Sequence, residues 1–257
     1  MLNISATGRS ELGSREHNED RICLSREGPT WALVLADGAG GHRGGATAAL
    51  YAVDEIEQAL LAQGREFGAA ALTHAVLAAH ARLHHEQERD VALCEMHTTV
   101  VVLWIDASRD LALWSHVGDS RLYRVRQGLL RRLTNDDSVV QGLLDAGLLT
   151  PQQADAHPHR NHLLAALGKS GDVVPHTLAQ PTQLQDEDVY LLCSDGWWGS
   201  LDDAGIVETL GEAASPEEWL DAMQQRIEHV GAAQQDNFSA IAVWVGDRGD
   251  VTRPQRD

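Results

Sequence analysis

Residues 98–125 read TTVVVLWIDASRDLALWSHVGDSRLYRV and decide the class of fold. Three runs of β-branched, aliphatic and aromatic residues, at 98–105, 111–117 and 120–125, are separated by the short polar segments 106–110 and Gly118-Asp119. Runs of this composition joined by short turns predict consecutive antiparallel strands.

The rest of the chain repeats this arrangement of strands in runs and helices in pairs. Apolar residues at three- and four-residue spacing predict helices at 44–62 and 67–89, and a second pair is predicted at 202–211 and 215–230. Further strands are predicted at 21–26, 31–36, 173–179, 187–194 and 238–245. Because strands and helices do not alternate one by one, the sequence predicts an α+β layered domain with antiparallel sheets, and not a doubly wound parallel sheet.

Composition excludes several classes of protein. The 257 residues carry 20 Lys and Arg against 38 Asp and Glu, a formal net charge of −18, which argues against a nucleic-acid binder. The three cysteines form no C-x-x-C pair and indicate a reducing compartment, which we expect to be the cytoplasm. The apolar run 100–105 is about a third of a membrane span, and the N-terminus has no signal-peptide pattern, so no membrane association is expected.

Five short segments place an Asp beside the end of a predicted strand. One such Asp is ordinary in a turn, but five that abut apolar strands indicate a shared site. Buried carboxylates repel one another unless cations neutralise them, and a site of oxygen ligands without Cys selects Mg²⁺ or Mn²⁺. The segments are Asn18-Glu19-Asp20, Asp37-Gly38, Gly118-Asp119-Ser120-Arg121, Ser194-Asp195-Gly196 and Gln235-Asp236-Asn237.

The ordered set of motifs resembles the bacterial metal-dependent Ser/Thr protein phosphatases, the PPM family of type 2C. The resemblance runs from about residue 5 to 245 and implies two antiparallel sheets packed face to face and flanked by helices, an αββα sandwich. Its motifs, in family order, are 15–20 (REHNED), 37–42 (DGAGGH), Thr98-Thr99, 118–121 (GDSR), 194–196 (SDG) and Asp236-Asn237.

The resemblance implies a role for each acidic residue at the first metal position. Asp37 would bridge two divalent ions, Mn²⁺ or Mg²⁺. The Gly38 carbonyl would bind one of them, with Asp20 or Glu19 helping directly or through water.

The same resemblance assigns the remaining ligands and the phosphate contact. Asp195 and Asp236 would hold the second ion, and Asp119 would contribute to a third, weaker one. Arg15 would clamp the substrate phosphate. Two divalent ions can activate a water for direct in-line attack, so no protein nucleophile is required.

Three departures from the common family pattern affect these expectations. Ala39 stands where bacterial members often have Met and animal members have His, a candidate general acid; His42 is the remaining candidate here. His97 replaces a usual Gly, which we interpret as a local packing change. Asp137 stands where many relatives have His, and the sequence alone gives no consequence for it.

Two groups of histidines are interpreted as ordinary surface polarity. His80 and His84 are four residues apart on a predicted helix without a Glu or Cys to complete a metal site. His157, His159 and His162 lie in a region that reads as a loop.

The sequence therefore predicts one catalytic domain at 1–246, with a flap-like surface subregion at about 136–172 and a loose tail at 247–257. The predicted reaction is hydrolysis of phosphoserine and phosphothreonine in proteins by a monomeric enzyme. Bacterial members of this type oppose Ser/Thr kinases, and some act in type VI secretion control. A phosphoprotein-binding pseudophosphatase and a small-molecule phosphomonoesterase remain the alternatives.

Overall fold

The computed structural model describes residues 2–39, 44–155, 157–160, 162–230 and 234–246. Its strands are β1 (Ile4–Glu11), β2 (Asp20–Glu27), β3 (Thr30–Ala39), β4 (His97–Thr98), β5 (Val100–Asp106), β6 (Leu111–Val117), β7 (Arg121–Arg126), β8 (Leu129–Arg132), β9 (His176–Thr177), β10 (Thr182–Gln183), β11 (Val189–Cys193) and β12 (Phe238–Val245). Its helices are α1 (Gly44–Leu61), α2 (Ala69–Arg89), α3 (Val139–Asp145), α4 (Pro151–Asp155), α5 (Asp195–Trp198), α6 (Asp203–Glu212) and α7 (Pro216–Val230), with a 3-10 turn at Val91–Leu93.

The strands form two antiparallel sheets. The first has the order β1-β12-β11-β7-β8, and the second has the order β10-β6-β5-β3-β2, with β4 paired to β3 and β9 paired to β6. Helices α1 and α2 cover the outer face of the second sheet, and α5, α6 and α7 cover the outer face of the first. The predicted αββα sandwich is confirmed.

Alternation along β3 explains why its sequence is apolar without interruption. Leu33 and Leu35 belong to the core between the two sheets, whereas Ala32, Val34 and Ala36 belong to the core under α1 and α2. Both faces of the strand are therefore buried, and every position needs an apolar side chain. Strand β12, which lies between β1 and β11, is buried at every position for the same reason.

Most of the predicted helices and strands agree with the structure. The strand expected at 173–179 is limited to β9, and the predicted strands do not include β1, β8 or β10. These four strands lie at or near a sheet edge, where few buried side chains produce a pattern.

The subregion at 136–172 combines exposed turns with one anchor in the core. Leu148 is 69% and Leu164 is 63% exposed, but Leu167 is fully buried and exchanges backbone hydrogen bonds with Thr98. Its description as a flap stays a prediction, as does the single-domain boundary at 246. The predicted tail at 247–257 lies outside the described residues.

Candidate metal centre

The ends of four strands bring the predicted carboxylates to one edge of the sandwich. Asp20 and Asp37 are direct Cα partners in the β2–β3 ladder. Asp195 follows β11, and the turn between β6 and β7 carries Asp119. Asp236 precedes β12, which is the partner of β11.

Burial and mutual repulsion raise the pKa values of four of these carboxyls. Burial, together with the charge of Asp195, raises the pKa of Asp20 to about 7 and that of Asp119 to about 8. Burial, followed by the charge of Asp20, raises the pKa of Asp37 well above its usual range. Burial and the charge of Asp236 raise the pKa of Asp195. The negative charges of these carboxylates therefore repel one another, and bound cations would relieve the repulsion.

Asp20 carries the observation that best tests the fit of a cation. Ser194 Oγ donates to its Oδ2 at 2.9 Å. Its Oδ1 is buried and has no hydrogen-bond partner among the described residues. A buried carboxylate oxygen without a donor is costly, and a divalent ion is the partner that an oxygen-rich site offers.

Asp37 is fixed through its backbone. Thr98 Oγ1 donates to the Asp37 carbonyl at 2.8 Å, and the Asp37 amide donates to Thr99 Oγ1 at 3.2 Å. The Thr99 amide also donates to the Asp37 carbonyl, at 2.8 Å. The Thr98-Thr99 motif thus holds the end of β3 in place.

Gly38 lies where β3 meets the start of α1. Its amide donates to the Glu19 carbonyl at 3.1 Å. A Cβ at this position would lie 2.2 Å from the Gly45 carbonyl oxygen and 2.7 Å from that of Glu19. Only glycine permits this approach of three backbone segments.

Asp119 is held by a turn that also requires glycine. Gly118 has φ +100°, and a Cβ there would meet Thr99 at 2.7 Å. Trp198 Nε1 donates to the Asp119 carbonyl at 3.0 Å, and the Arg121 guanidinium stacks 3.5 Å from the centre of the Trp198 ring. Trp198 therefore contacts the backbone of the turn that carries Asp119.

Arg15 lies at the rim of the centre, at the position where the resemblance places the phosphate clamp. Its Nη2 donates to Asp236 Oδ2 at 2.6 Å. The Arg15 side chain is 57% exposed, so its guanidinium is accessible. The sequence alone does not predict this pairing with a proposed metal ligand.

Glu19 and His42 are placed less directly. The Glu19 amide donates to Asn237 Oδ1 at 2.9 Å, and a Cβ on Gly45 would come within 2.8 Å of Glu19 Oε2. The carboxylate of Glu19 therefore lies beside the start of α1. His42 lies outside the described residues, so its role as general acid stays a prediction.

Asn237 organises the site, a role that sequence reasoning missed. Its Nδ2 donates to the carbonyls of Leu12 and His17 at 2.8 and 3.0 Å. Together with the bond to the Glu19 amide, it connects the 12–19 loop to the start of β12. Its place directly after Asp236 was the only signal in the sequence.

Comparison with known proteins agrees with this geometry. The family model described as Protein phosphatase 2C matches residues 7–236. The chain belongs to this family. It is 32% identical over 267 residues to the Serine/threonine phosphatase stp of Listeria monocytogenes, covering 99% of both chains. It is also 36% identical over 218 residues to the Serine/threonine protein phosphatase PstP of Mycobacterium tuberculosis, covering 81% of this chain but only 39% of PstP.

Solved structures of the family have the same fold. The catalytic domain of PstP in complex with two manganese ions matches with a TM-score of 0.84 and 28% identity, over 96% of this chain and all of that one. PppA, described as a key regulatory component of the T6SS in Pseudomonas aeruginosa, matches with a TM-score of 0.77 and 28% identity, over 94% and 97% of the two chains. No helix among the described residues is long and apolar enough to cross a membrane.

Proposed function

We propose that this chain is a metal-dependent protein phosphatase that hydrolyses phosphoserine and phosphothreonine. The observation that carries the proposal is the convergence of five Asp carboxyls, from segments far apart in the chain, at one edge of the sandwich. Four of them have pKa values raised by burial, and repulsion contributes to each shift. A set held in this way suits a multi-ion centre.

The proposed ions are two Mn²⁺ or Mg²⁺, as in the manganese complex of PstP. When bound, they would activate a water and neutralise the phosphate charge. We place Asp37 between the two ions because, after burial, the charges of the other four carboxylates raise its pKa.

The other proposed ligands form two groups, one for each ion. The Gly38 carbonyl and Asp20, with Glu19 nearby, would hold one ion, and Asp195 with Asp236 would hold the other. Asp119 would support a third, weaker ion.

Arg15 would orient the phosphate. A guanidinium offers two parallel donors to two phosphate oxygens, which fixes the phosphorus for in-line attack. The ion pair with Asp236 keeps Arg15 at the rim of the centre. The incoming phosphate dianion would compete with Asp236 for this guanidinium.

A cysteine mechanism is disfavoured by the same structure. Cys193 is fully buried, and burial raises the pKa of its thiol far above neutrality. A thiolate nucleophile requires the opposite shift.

A phosphatase assay on a phosphothreonine peptide tests the proposal, with Mn²⁺, with Mg²⁺ and after chelation. We expect phosphate release only with a divalent ion, and its loss in Asp37→Asn. The matched control is Asp221→Asn, which makes the same chemical change at an exposed residue that pairs with Arg9. Full activity after chelation and dialysis would contradict the metal dependence.

The same assay separates the alternatives. Release of phosphate from small phosphomonoesters but not from peptides would indicate a small-molecule phosphatase. Tight binding of the phosphopeptide without phosphate release would indicate a pseudophosphatase.

The biological partner would be a bacterial Ser/Thr kinase and its substrates, with T6SS control as one setting, and the enzyme would act as a cytoplasmic monomer. Incubating an autophosphorylated Ser/Thr kinase with the wild type and with Asp37→Asn tests the first point. We expect loss of kinase phosphate only with the wild type. Sedimentation of the protein at several concentrations tests the monomer.

A further inference from the structure

A second cluster of metal-ligating side chains lies outside the carboxylate centre. It consists of His116 on β6, Asp137 before α3 and His176 on β9. One ligand atom from each residue lies within 4.8 Å of the other two. Among the described residues, no other group of three or more His, Cys, Asp or Glu side chains meets this criterion.

The sheet itself builds this cluster. His116 and His176 are direct Cα partners in the antiparallel β6–β9 pair, so their side chains share one face. Their rings stack with centroids 5.0 Å apart and planes 24° apart. His176 Nε2 lies 2.8 Å from Asp137 Oδ1. The third ligand therefore comes from a separate loop and completes the group.

The hydrogen bonds of His116 leave one nitrogen ready for a ligand. Its Nε2 lies 2.7 Å from the Asn135 carbonyl, which can only accept, so Nε2 carries the proton. Nδ1 then has a bare lone pair. The residue is 4% exposed, and Nδ1 has no hydrogen-bond partner within the described part of the chain.

This arrangement is typical of a metal-binding histidine. Such residues usually donate the second ring N–H to a backbone carbonyl or carboxylate, which fixes the tautomer. Burial lowers the pKa of His116, so the ring is neutral at neutral pH. A neutral imidazole is the form that binds a metal ion.

Asp137 is oriented by the backbone. Its Oδ2 accepts from the Gly118 amide at 2.9 Å, and its own amide donates to the Gly118 carbonyl at 2.9 Å. The second oxygen, Oδ1, remains directed at His176. One carboxylate thus holds the turn before Asp119 and faces the two imidazoles.

We propose that His116, Asp137 and His176 bind a divalent transition-metal ion of the Zn²⁺ class, separately from the carboxylate centre. Two imidazole nitrogens and one carboxylate oxygen suit Zn²⁺, whereas Mg²⁺ prefers oxygen ligands alone. The His176 side chain is 53% exposed, which leaves a path for the ion and a position for water. His176 would move its proton to Nδ1, and the ion would replace the hydrogen bond to Asp137.

The histidine pair on α2, His80 and His84, shows by contrast why the cluster is distinctive. His80 Nδ1 accepts from the Gly168 amide at 3.1 Å, and its Nε2 lies 3.1 Å from His84 Nε2. Hydrogen bonds therefore use both ring nitrogens of His80. That pair was expected to be a solvated helix face; instead His80 anchors the turn at Gly168.

Zinc calorimetry on the full chain tests the proposal, with saturating Mg²⁺ to occupy the carboxylate centre. We expect His176→Ala to weaken one Zn²⁺ site by more than about tenfold, because even an outer-shell change costs that much. Asp137→Asn should weaken the same site while its amide oxygen still accepts from Gly118. Zinc-edge diffraction of the wild type should place an ion between the three side chains.

The matched control is His159→Ala. His159 lies in a surface group of histidines, 5.7 Å from His157 and 4.7 Å from His162 between ring centroids. Zinc affinity lost only in His159→Ala would overturn the proposal, as would equal stoichiometry and affinity in the wild type and His176→Ala. Because the readout is zinc binding, a failure of the phosphatase assay leaves this result unaffected.

Discussion

Replacing Gly38 by Ala should damage both stability and the metal centre. The added Cβ would lie 2.2 Å from the Gly45 carbonyl oxygen, 2.4 Å from the Gly45 carbonyl carbon and 2.7 Å from the Glu19 carbonyl oxygen. Ordinary contacts begin near 3.4 Å. The backbone must therefore open by about 1 Å, because no flexible side chain can yield instead.

The magnitude follows from that displacement. Overpacking costs about 1–3 kcal/mol, and we expect the upper end here because the obstacles are main-chain atoms. For a domain of this size, about 3 kcal/mol lowers Tm by roughly 6–12 °C. A shift of about 1 Å in the Gly38 carbonyl should also lower kcat/KM by about a hundredfold.

Thermal melts in chelator isolate the packing effect, and peptide dephosphorylation with Mn²⁺ measures the effect on the site. Gly211→Ala is the matched control, because it lies in α6 and a Cβ there meets nothing within 4 Å. That change should leave activity intact and stabilise the helix by about 0.5–1 kcal/mol. A Gly38→Ala protein that melts with the wild type would refute the steric argument.

Three further changes separate roles within the molecule. Arg15→Ala should lower kcat/KM about tenfold to a hundredfold, since a charge-assisted bond contributes about 1.5–3 kcal/mol. Arg15→Lys should recover part of this loss. Unchanged kinetics with a small loss of Tm would instead indicate a structural role for Arg15. Asp119→Ala should lower turnover but leave two tight Mn²⁺ ions in calorimetry, and loss of both would place Asp119 in the core site. Arg126→Ala should lower the urea-derived free energy of unfolding by about 3–5 kcal/mol, because Asp188, paired at 2.5 Å and fully buried, would keep an unpaired charge; a loss below about 1 kcal/mol would contradict this.

The layers of the fold could be predicted because burial leaves a pattern. A strand covered on both faces, such as β3, is apolar throughout, and the small residues on one face of α1 mark the side that packs on it. The meeting of the carboxylates could be predicted because each lies beside the start or the end of a strand. Pattern and position together were enough to predict which carboxylates meet at one edge of the sandwich, and their role as metal ligands stays a prediction.

Contacts between polar residues that lie far apart in the sequence leave no such pattern. Asn237 reaches the carbonyls of Leu12 and His17, more than 200 residues earlier. The Arg15–Asp236 pair joins the same two regions. The sequence contains these residues, but only the pairing of β1 with β12 brings them together.

Asp137 has contacts in the folded chain that its place in the sequence does not predict. The family resemblance leads one to expect His at position 137, and nothing in the sequence alone explains the carboxylate. In the structure, this side chain accepts from the Gly118 amide and faces His176, which β9 places opposite His116. A carboxylate has two acceptor oxygens, so one can accept from the Gly118 amide while the other faces His176. A neutral histidine has only one acceptor nitrogen and could not fill both roles. The donor sets then differ on the two sides of Gly118, with oxygen alone around Asp37 and nitrogen with oxygen around Asp137. Because hard ions prefer the first set and borderline ions the second, the chain should sort Mg²⁺ from Zn²⁺ within one edge of its sandwich.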